Sequence, residues 1–211
     1  GLRLVRLPTT VLSQDDSGVG VKNGFNLFGK KNFIGSFSAP YAVINDIDFL
    51  RSLHMRDWRS GISEAIKVAL LKDPTFFSDI ERDATELNER KLEPMQHLIE
   101  RSAQLHMDHI VNNGDPFEMS SSRPLDFGHW SAHKLESLTN GDLKHGEAVA
   151  IGIALDCTYG VLAGFTPEVD AQRVISTLMA LGFELFHPAM LLCEPDSKTP
   201  LLLEGLSEFR E

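Results

Sequence analysis

Three histidines in the second half of the chain have the residue type and spacing of metal ligands. His129 and His133 are four residues apart, so they would share one face of a helix. His145 directly precedes an apolar run, where its side chain could point into a cleft while the run is anchored in the core. Two or three histidines with a carboxylate can bind a divalent metal and leave positions open for a substrate. Paired histidines are also common at surfaces and helix caps, and the spacing alone leaves both interpretations open.

Glu64, three residues before Lys67, could supply the carboxylate of such a site. Taken alone, this spacing is typical of a solvated ion pair on the polar face of a helix. Glu64 lies, however, beside an apolar stripe that includes Ile66 and Leu70. Because a partly buried carboxylate requires a cation, the pattern also allows a metal ligand.

The segment 18–35 contains five glycines and is a third candidate site. Lys22, Lys30 and Lys31 concentrate positive charge there in an otherwise acidic chain. Glycine permits a close approach of the backbone to a ligand, so a loop here could bind a phosphate or a nucleotide. It is not a P-loop, because no Gly-Lys-Ser/Thr follows at the required spacing. An ordinary flexible loop is an equally good interpretation of the composition.

Hydrophobic periodicity predicts the elements that would position these residues. Residues 1–50 are predicted to form strands and loops, with β-prone runs at 2–7, 9–12 and 41–44. From about Met55 the pattern becomes helical. Its apolar stripe consists of Trp58, Ile62, Ile66 and Leu70.

Three more helices are predicted after this stripe. Pro94 could open a second long helix that extends to about Ile110. A polar, turn-rich loop is expected at 112–124, and the run 146–163 is apolar nearly all round, which predicts a buried helix. Thr166 as N-cap, Pro167 at the first helical position and Gly182 after the last turn frame another helix. We therefore expect a short strand-rich segment followed by a larger helical domain.

Composition limits the classes of function. The chain has 211 residues, 20 Lys and Arg against 30 Asp and Glu, and a formal net charge of −10. The acidic balance argues against a general nucleic-acid or anionic-membrane surface, although a small phosphorylated metabolite needs only a local basic cluster. Two cysteines cannot form a disulfide framework, and no stretch is long and apolar enough to cross a bilayer. We predict a soluble, cytoplasmic protein with neither nucleic acid nor membrane as a partner.

Seven short motifs occur in order between Pro8 and Ala150. They are Pro8-Thr9-Thr10, Gln14-x-Asp16-Ser17, Val19-Gly20-x-Lys22, Lys31-Asn32-x-Ile34-Gly35, Ser63-Glu64-Ala65-Ile66-Lys67, Phe127-Gly128-His129 and His145-Gly146-Glu147-Ala148-Val149-Ala150. In this order they resemble the 3-dehydroquinate synthase family of sugar-phosphate cyclases. The resemblance implies a lyase that eliminates phosphate and forms a carbocycle with the help of NAD and a divalent metal.

The resemblance also implies roles for individual residues. Glu64, His129 and His145 fall where the family holds a zinc or cobalt ion. NAD contacts are implied for Thr9, Thr10, Lys22, Lys31, Phe49, Leu50, Arg51 and Ser52. Contacts with a phosphorylated sugar substrate, or support of the chemistry, are implied for Asp16, Lys22, Asn32, Lys67 and His133.

Family members begin with a dinucleotide-binding domain whose glycine-rich segment is missing here. The implied fold is therefore mainly α, with a helical metal- and substrate-binding domain at 51–211. Residues 1–50 would be a short strand and loop remnant, the trailing part of an α/β NAD-binding domain. We accordingly expect this chain to be an incomplete enzyme, and the full-length protein to be a homodimer.

The chain departs from the family pattern where a substrate carboxylate would be held. His106 stands in the place of a usual Lys, and Asp126 in the place of a usual Asn. The usual Arg position is Ser122, with Arg123 one place later. Without these cations, the prediction of a carboxylated substrate is weaker. A valiolone-type synthase, which acts on a seven-carbon sugar phosphate without a carboxylate, is therefore the main alternative.

Two further hypotheses come from other classes. A metal-dependent alcohol dehydrogenase has a related two-domain layout and would produce NADH from a simple alcohol. An interaction module without catalysis is the non-enzymatic alternative, and the presence of Glu64, His129 and His145 argues against it.

Overall fold

The buried apolar side chains of this protein lie mainly on helices. The structure is a computed structural model that describes residues 2–27, 30–112 and 126–208. It describes the backbone alone for Lys22, residues 25–27, residues 30–33 and Phe37. Seven α-helices occur within these ranges: α1 Met55–Lys72, α2 Pro74–Asn88, α3 Leu92–Asn112, α4 His129–Leu138, α5 His145–Leu162, α6 Glu168–Ala180 and α7 Gly205–Glu208. The predicted mainly α fold is confirmed.

The N-terminal part forms two small sheets. Strands β1 (Val5–Arg6) and β4 (Ala42–Val43) pair in parallel, with Val5 opposite Ala42. Strands β2 (Lys22–Leu27) and β3 (Lys30–Phe37) form an antiparallel hairpin in which Gly24 lies opposite Gly35. The glycine-rich segment is thus a hairpin, and its prediction as a loop was wrong. A glycine does not prevent strand pairing where its partner strand comes close, as at this Gly–Gly pair.

The β-prone run 9–12 is not a strand. Residues 11–12 begin a helical turn that continues as a π-helical segment, Ser13–Ser17. Thr10 and Ser13 stabilise its start, since their hydroxyl oxygens lie 2.8 Å apart. The local hydrogen bonds of these hydroxyl side chains outweigh the strand propensity of the β-branched residues.

Helix α1 lies at the centre of the core and packs against α2, α3 and α5. The predicted stripe is confirmed, since Trp58, Ile62 and Ile66 are at most 1% exposed and Leu70 is partly buried against the same core. Trp58 also donates a hydrogen bond from Nε1 to the carbonyl oxygen of Leu87 at the end of α2, 2.8 Å away. Helix α1 is buried on its polar side too, because Glu64 and Lys67 lie inside the protein.

Two glycines let α5 come close to its neighbours. A Cβ on Gly146 would lie 2.2 Å from the carbonyl oxygen of Ser60 on α1. A Cβ on Gly152 would lie 1.9 Å from the carbonyl oxygen of Gly128, just before α4. Neither contact could exist with a larger residue. This packing brings the first residue of α5, His145, next to α1 and α4.

Several helix boundaries differ from those expected. Helix α2 was missed, although Asp73 caps it by accepting hydrogen bonds from the amides of Thr75 and Phe76, both 3.1 Å away. Helix α6 has Pro167 as its N-cap and not Thr166. Helix α3 includes Asn112, and the rest of the predicted loop 112–124 lies outside the described residues.

In the described part of the chain, no helix is both long enough and apolar enough to cross a membrane.

Candidate metal centre

Three helices each contribute one side chain to a buried cluster. Glu64 comes from the middle of α1, His129 from the start of α4 and His145 from the start of α5. Oε1 of Glu64 lies 3.1 Å from Nε2 of His145 and 3.2 Å from Nε2 of His129. Glu64 is 1% exposed, so its carboxylate is removed from water. The structure therefore brings together the three residues predicted to be metal ligands, and that role stays a prediction.

The spacing of these atoms fits a metal ion. Zinc bound tetrahedrally at about 2.0–2.1 Å from each ligand separates its ligand atoms by about 3.4 Å. The 3.1 Å and 3.2 Å distances from Glu64 to the two imidazoles are close to that value. One carboxylate with two imidazoles is also a donor set that zinc and cobalt accept.

Lys67 balances the charge of Glu64 from one turn further along α1. Its Nζ lies 2.6 Å from Oε2 of Glu64, the oxygen that faces away from the histidines. Burial by itself would raise the pKa of Glu64, but the charge of Lys67 and the hydrogen bonds to His129 and His145 hold that pKa well below its usual value. Glu64 is therefore an anion at neutral pH, as a metal ligand must be.

Each histidine contacts a second partner through Nδ1. The Nδ1 of His129 lies 3.2 Å from the carbonyl oxygen of Phe127, and the Nδ1 of His145 lies 3.1 Å from Oε2 of Glu136. When Nδ1 donates to these oxygens, Nε2 is left to act as a ligand. Burial would lower the pKa of His145, but its contacts with Glu136 and Glu64 raise it to about 9. A cation bound between these groups would replace that proton.

A turn with an unusual backbone positions His129. Gly128 adopts a φ of +77°, a region that residues with a side chain rarely occupy. Asp156 on α5 holds the turn, accepting hydrogen bonds from the amide of Gly128 at 2.7 Å and from Nε1 of Trp130 at 2.8 Å. The start of α4 is thus fastened to α5 on either side of His129.

The start of α5 is fastened by Glu147. This carboxylate accepts hydrogen bonds from the amide of Lys144 at 2.9 Å and from Arg56 at 2.6 Å and 2.7 Å. Arg56 also donates to the carbonyl oxygen of Asp142, 2.7 Å away. The loop before His145 is therefore tied to α1.

His133 lies beside the cluster, one turn after His129 on α4. Its ring centroid is 5.5 Å from that of His129 and 6.0 Å from that of His145. The predicted shared face of His129 and His133 is confirmed. The suggested role of His133 in catalysis stays a prediction.

The π-helical segment adds a second polar pair. It packs against α1 and α3, and Oδ1 of Asp16 lies 2.9 Å from Nδ1 of His106 on α3. Burial would raise the pKa of Asp16, but the hydrogen bond and charge of His106 lower it on balance. Asp16 is therefore paired with His106, the residue that stands in the place of the family's Lys.

The remaining predicted residues are not assembled into one visible site. Thr9 is exposed, and Phe49, Leu50, Arg51 and Ser52 lie on the 3₁₀ segment Ile47–Ser52. Leu50 is fully buried, so that only its backbone could reach a ligand. Asp126 is half-buried before α4. The side chains of Lys22, Lys30, Lys31 and Asn32, and all of Ser122 and Arg123, lie outside the described residues.

Two carboxylates that support the cluster were missed from the sequence. Glu136 follows His133 by three residues, a spacing that places both on one face of α4. Asp156 interrupts the apolar run of α5, and a charge inside a buried helix is itself a sign of a specific partner. Both signals were available, but neither identified the contact across the fold.

The family follows from comparison with known proteins. Residues 61–199 match the model of the 3-dehydroquinate synthase C-terminal family, and residues 1–60 match that of the 3-dehydroquinate synthase N-terminal family. The chain belongs to the 3-dehydroquinate synthase family. The resemblance indicated by its motifs is confirmed.

Curated relatives match at moderate identity. A 3-dehydroquinate synthase of Dictyoglomus thermophilum is 37% identical over 191 residues, which cover 89% of this chain and 53% of the relative. A 3-dehydroquinate synthase of Roseobacter denitrificans is 37% identical over 186 residues, which cover 87% of this chain and 50% of the relative. The chain thus spans about half the length of these relatives.

Two solved structures of synthases share the fold. The 2-epi-5-epi-valiolone synthase of Streptomyces hygroscopicus subsp. jinggangensis, solved with NAD+ and Zn2+, has a TM-score of 0.84 and 29% identity. A 2-deoxy-scyllo-inosose synthase complexed with carbaglucose-6-phosphate, NAD+ and Co2+ has a TM-score of 0.81 and 26% identity. Each similarity covers 98% of this chain, and 55% and 54% of the two solved chains.

Proposed function

We propose that this chain is the metal-bearing part of a sugar-phosphate cyclase similar to 3-dehydroquinate synthase, a phosphorus–oxygen lyase that uses NAD and a zinc or cobalt ion. The observation that carries the proposal is the buried Glu64 carboxylate, which meets His129 and His145 at 3.2 Å and 3.1 Å. The solved synthases described above, with NAD+ and Zn2+ or Co2+, support the same cofactors here.

The proposal extends to the division of the chain. Residues 1–50 would be the trailing part of an NAD-binding domain, and residues 51–211 the metal- and substrate-binding domain. The start of α1 at Met55 supports this boundary, because the series of long helices begins there. NAD would contact Thr9, Thr10, Lys22, Lys31 and the segment 49–52.

The chain's own residues would prepare the site for this chemistry. When bound, the metal supplies a Lewis acid for a substrate hydroxyl, and NAD accepts and returns a hydride. Glu64 contributes the negative charge of the site, and Lys67 offsets it at 2.6 Å. The carbonyl oxygen of Phe127 and the carboxylate of Glu136 would accept from Nδ1 of the two histidines, which would leave Nε2 of each neutral imidazole to hold the metal. His133, whose ring centroid lies 5.5 Å from that of His129, is the residue that we propose would move a proton to or from the substrate.

A second candidate function is a valiolone-type synthase that accepts a seven-carbon sugar phosphate without a carboxylate. The observation that favours it is the contact between His106 and Asp16 at 2.9 Å. An imidazole already paired with a carboxylate is less available for a substrate carboxylate, and the loss of a cationic partner from a buried charge pair typically costs about 2–5 kcal/mol. We therefore expect turnover of the sugar phosphate without a carboxylate to be at least as efficient as turnover of the heptulosonate phosphate of 3-dehydroquinate synthases.

The test supplies both sugar phosphates to a full-length protein that contains this chain, with NAD and zinc or cobalt. Mass spectrometry identifies any cyclic product, and absorbance measures NADH. A cyclic product without net NADH supports the cyclase, whereas NADH formed from a simple alcohol would indicate a dehydrogenase. Efficient formation of 3-dehydroquinate, with no product from the sugar phosphate that lacks a carboxylate, would exclude the second candidate.

One substitution sharpens the choice of substrate. His106→Lys restores the cation of the family pattern and should shift kcat/KM toward the heptulosonate phosphate. His97→Lys makes the same change at an exposed position of α3, so it should leave the ratio of the two substrates unchanged.

A further inference from the structure

The imidazole of His145 lies between two carboxylates. Its Nε2 is 3.1 Å from Oε1 of Glu64, and its Nδ1 is 3.1 Å from Oε2 of Glu136. Glu64 comes from α1 and Glu136 from α4, so the ring of His145 is fixed by two different helices. We propose that Glu136 is a positioning residue that orients His145 for metal ligation, an inference that rests on the proposed metal centre.

The place of Glu136 in α4 suits this role. His129, His133 and Glu136 follow one another at intervals of four and three residues, so one face of α4 presents all three to the cluster. The side chain of Glu136 is 21% exposed, and that of His145 is 25% exposed. This contact is therefore partly sheltered from water, which makes a charged hydrogen bond stronger than on an open surface.

Glu136 and Phe127 each provide an oxygen beside Nδ1 of one histidine, Glu136 from its side chain and Phe127 from its backbone. The Nδ1 of His129 is satisfied by a backbone carbonyl, which no substitution can remove. The Nδ1 of His145 is satisfied by a side chain. Carboxylates that hold a ligating histidine fix its orientation and the nitrogen that carries the proton, and their loss typically weakens metal binding about 10–100-fold. Substitution of Glu136 should therefore weaken metal binding through His145 alone and leave the orientation of His129 unchanged.

A competing interpretation is that Glu136 is a ligand of a second metal site beside the first. His133, Glu136 and His145 offer ligand atoms that lie within 4.8 Å of one another. The contact of Glu136 with Nδ1 of His145 favours positioning, because the other ring nitrogen, Nε2, is the one that lies beside Glu64. The two interpretations differ in stoichiometry: positioning requires one ion per chain, and a second site requires two.

The experiment measures zinc affinity by competition with a chelator, metal content by mass spectrometry, and the visible spectrum of the cobalt form. Glu136→Ala and Glu136→Leu both remove the acceptor, and Glu136→Leu keeps the size of the side chain if Glu136→Ala does not fold. Glu136→Gln keeps an oxygen that can accept from Nδ1. Glu86→Gln, on the exposed face of α2, is the matched control.

We expect the unaltered chain to bind one zinc ion. Glu136→Ala and Glu136→Leu should bind zinc about 10–100-fold more weakly and should have an altered cobalt spectrum. Glu136→Gln should restore part of the affinity. Glu86→Gln should resemble the unaltered chain. A folded Glu136→Ala or Glu136→Leu with unchanged affinity and spectrum would overturn the inference, and so would a second ion that disappears with Glu136. If the unaltered chain binds no zinc, the proposed metal centre itself fails, which separates the two conclusions.

Discussion

The helices and the N-terminal strands of this chain differ in how far their apolar side chains are buried. On α1, the stripe Trp58, Ile62 and Ile66 is at most 1% exposed. In and beside β1, Leu4, Val5 and Leu7 are 50%, 43% and 56% exposed. The stripe of α1 is therefore buried within this chain, whereas the apolar residues in and beside β1 are not. A metal centre built on helices has its geometry set by packing within this chain, whereas residues near the strands lack that support.

The sharpest test of this contrast is one substitution in each region. Ile66→Ala should lower the free energy of unfolding by about 2–5 kcal/mol, because it leaves a cavity in the buried apolar core. Leu4→Ala should change it by no more than about 0.5 kcal/mol, because half of that side chain already contacts water. Urea denaturation measures both. Equal losses would contradict the contrast and would place Leu4 in the same cooperative core.

Prediction from the sequence was accurate where a pattern is local and incomplete where a contact joins distant elements. The stripe of α1 and the apolar run of α5 depend on spacing within one helix, so both helices were found. The supporting contacts of Glu136 and Asp156 depend on how α4 and α5 pack, and no periodicity encodes that. The hairpin β2–β3 was missed because glycines were taken as a sign of a loop.

A second, smaller test compares two buried carboxylates. Glu64 is surrounded by cationic and imidazole groups, whereas Asp15 in the π-helical segment is fully buried and its carboxyl oxygens have no hydrogen-bond partner among the described residues. Burial, followed by the charges of Asp16 and Glu64, raises the pKa of Asp15 well above its usual value. The folded state therefore binds a proton at Asp15 more tightly than the unfolded state does.

The sign of the pH dependence follows from this difference. Stability should fall as pH rises from about 4, the pKa of an unfolded Asp, until the raised pKa of the folded state is passed, by at most about 1.4 kcal/mol per pH unit. Asp15→Asn should remove this slope, and Asp170→Asn, on the exposed face of α6, should keep it. Urea denaturation at several pH values gives the measurement. An identical slope in Asp15→Asn and the unaltered chain would show that Asp15 finds a partner.

The zinc content of the purified chain tests the central claim most directly. After dialysis against zinc and then buffer, mass spectrometry should find one zinc ion per chain. His145→Ala should lose it, because Glu64 and His129 alone are too few to retain the ion. His97→Ala, which removes an exposed histidine of α3, should keep it. A folded His145→Ala with the zinc content of the unaltered chain would contradict the assignment of Glu64, His129 and His145 as the metal centre.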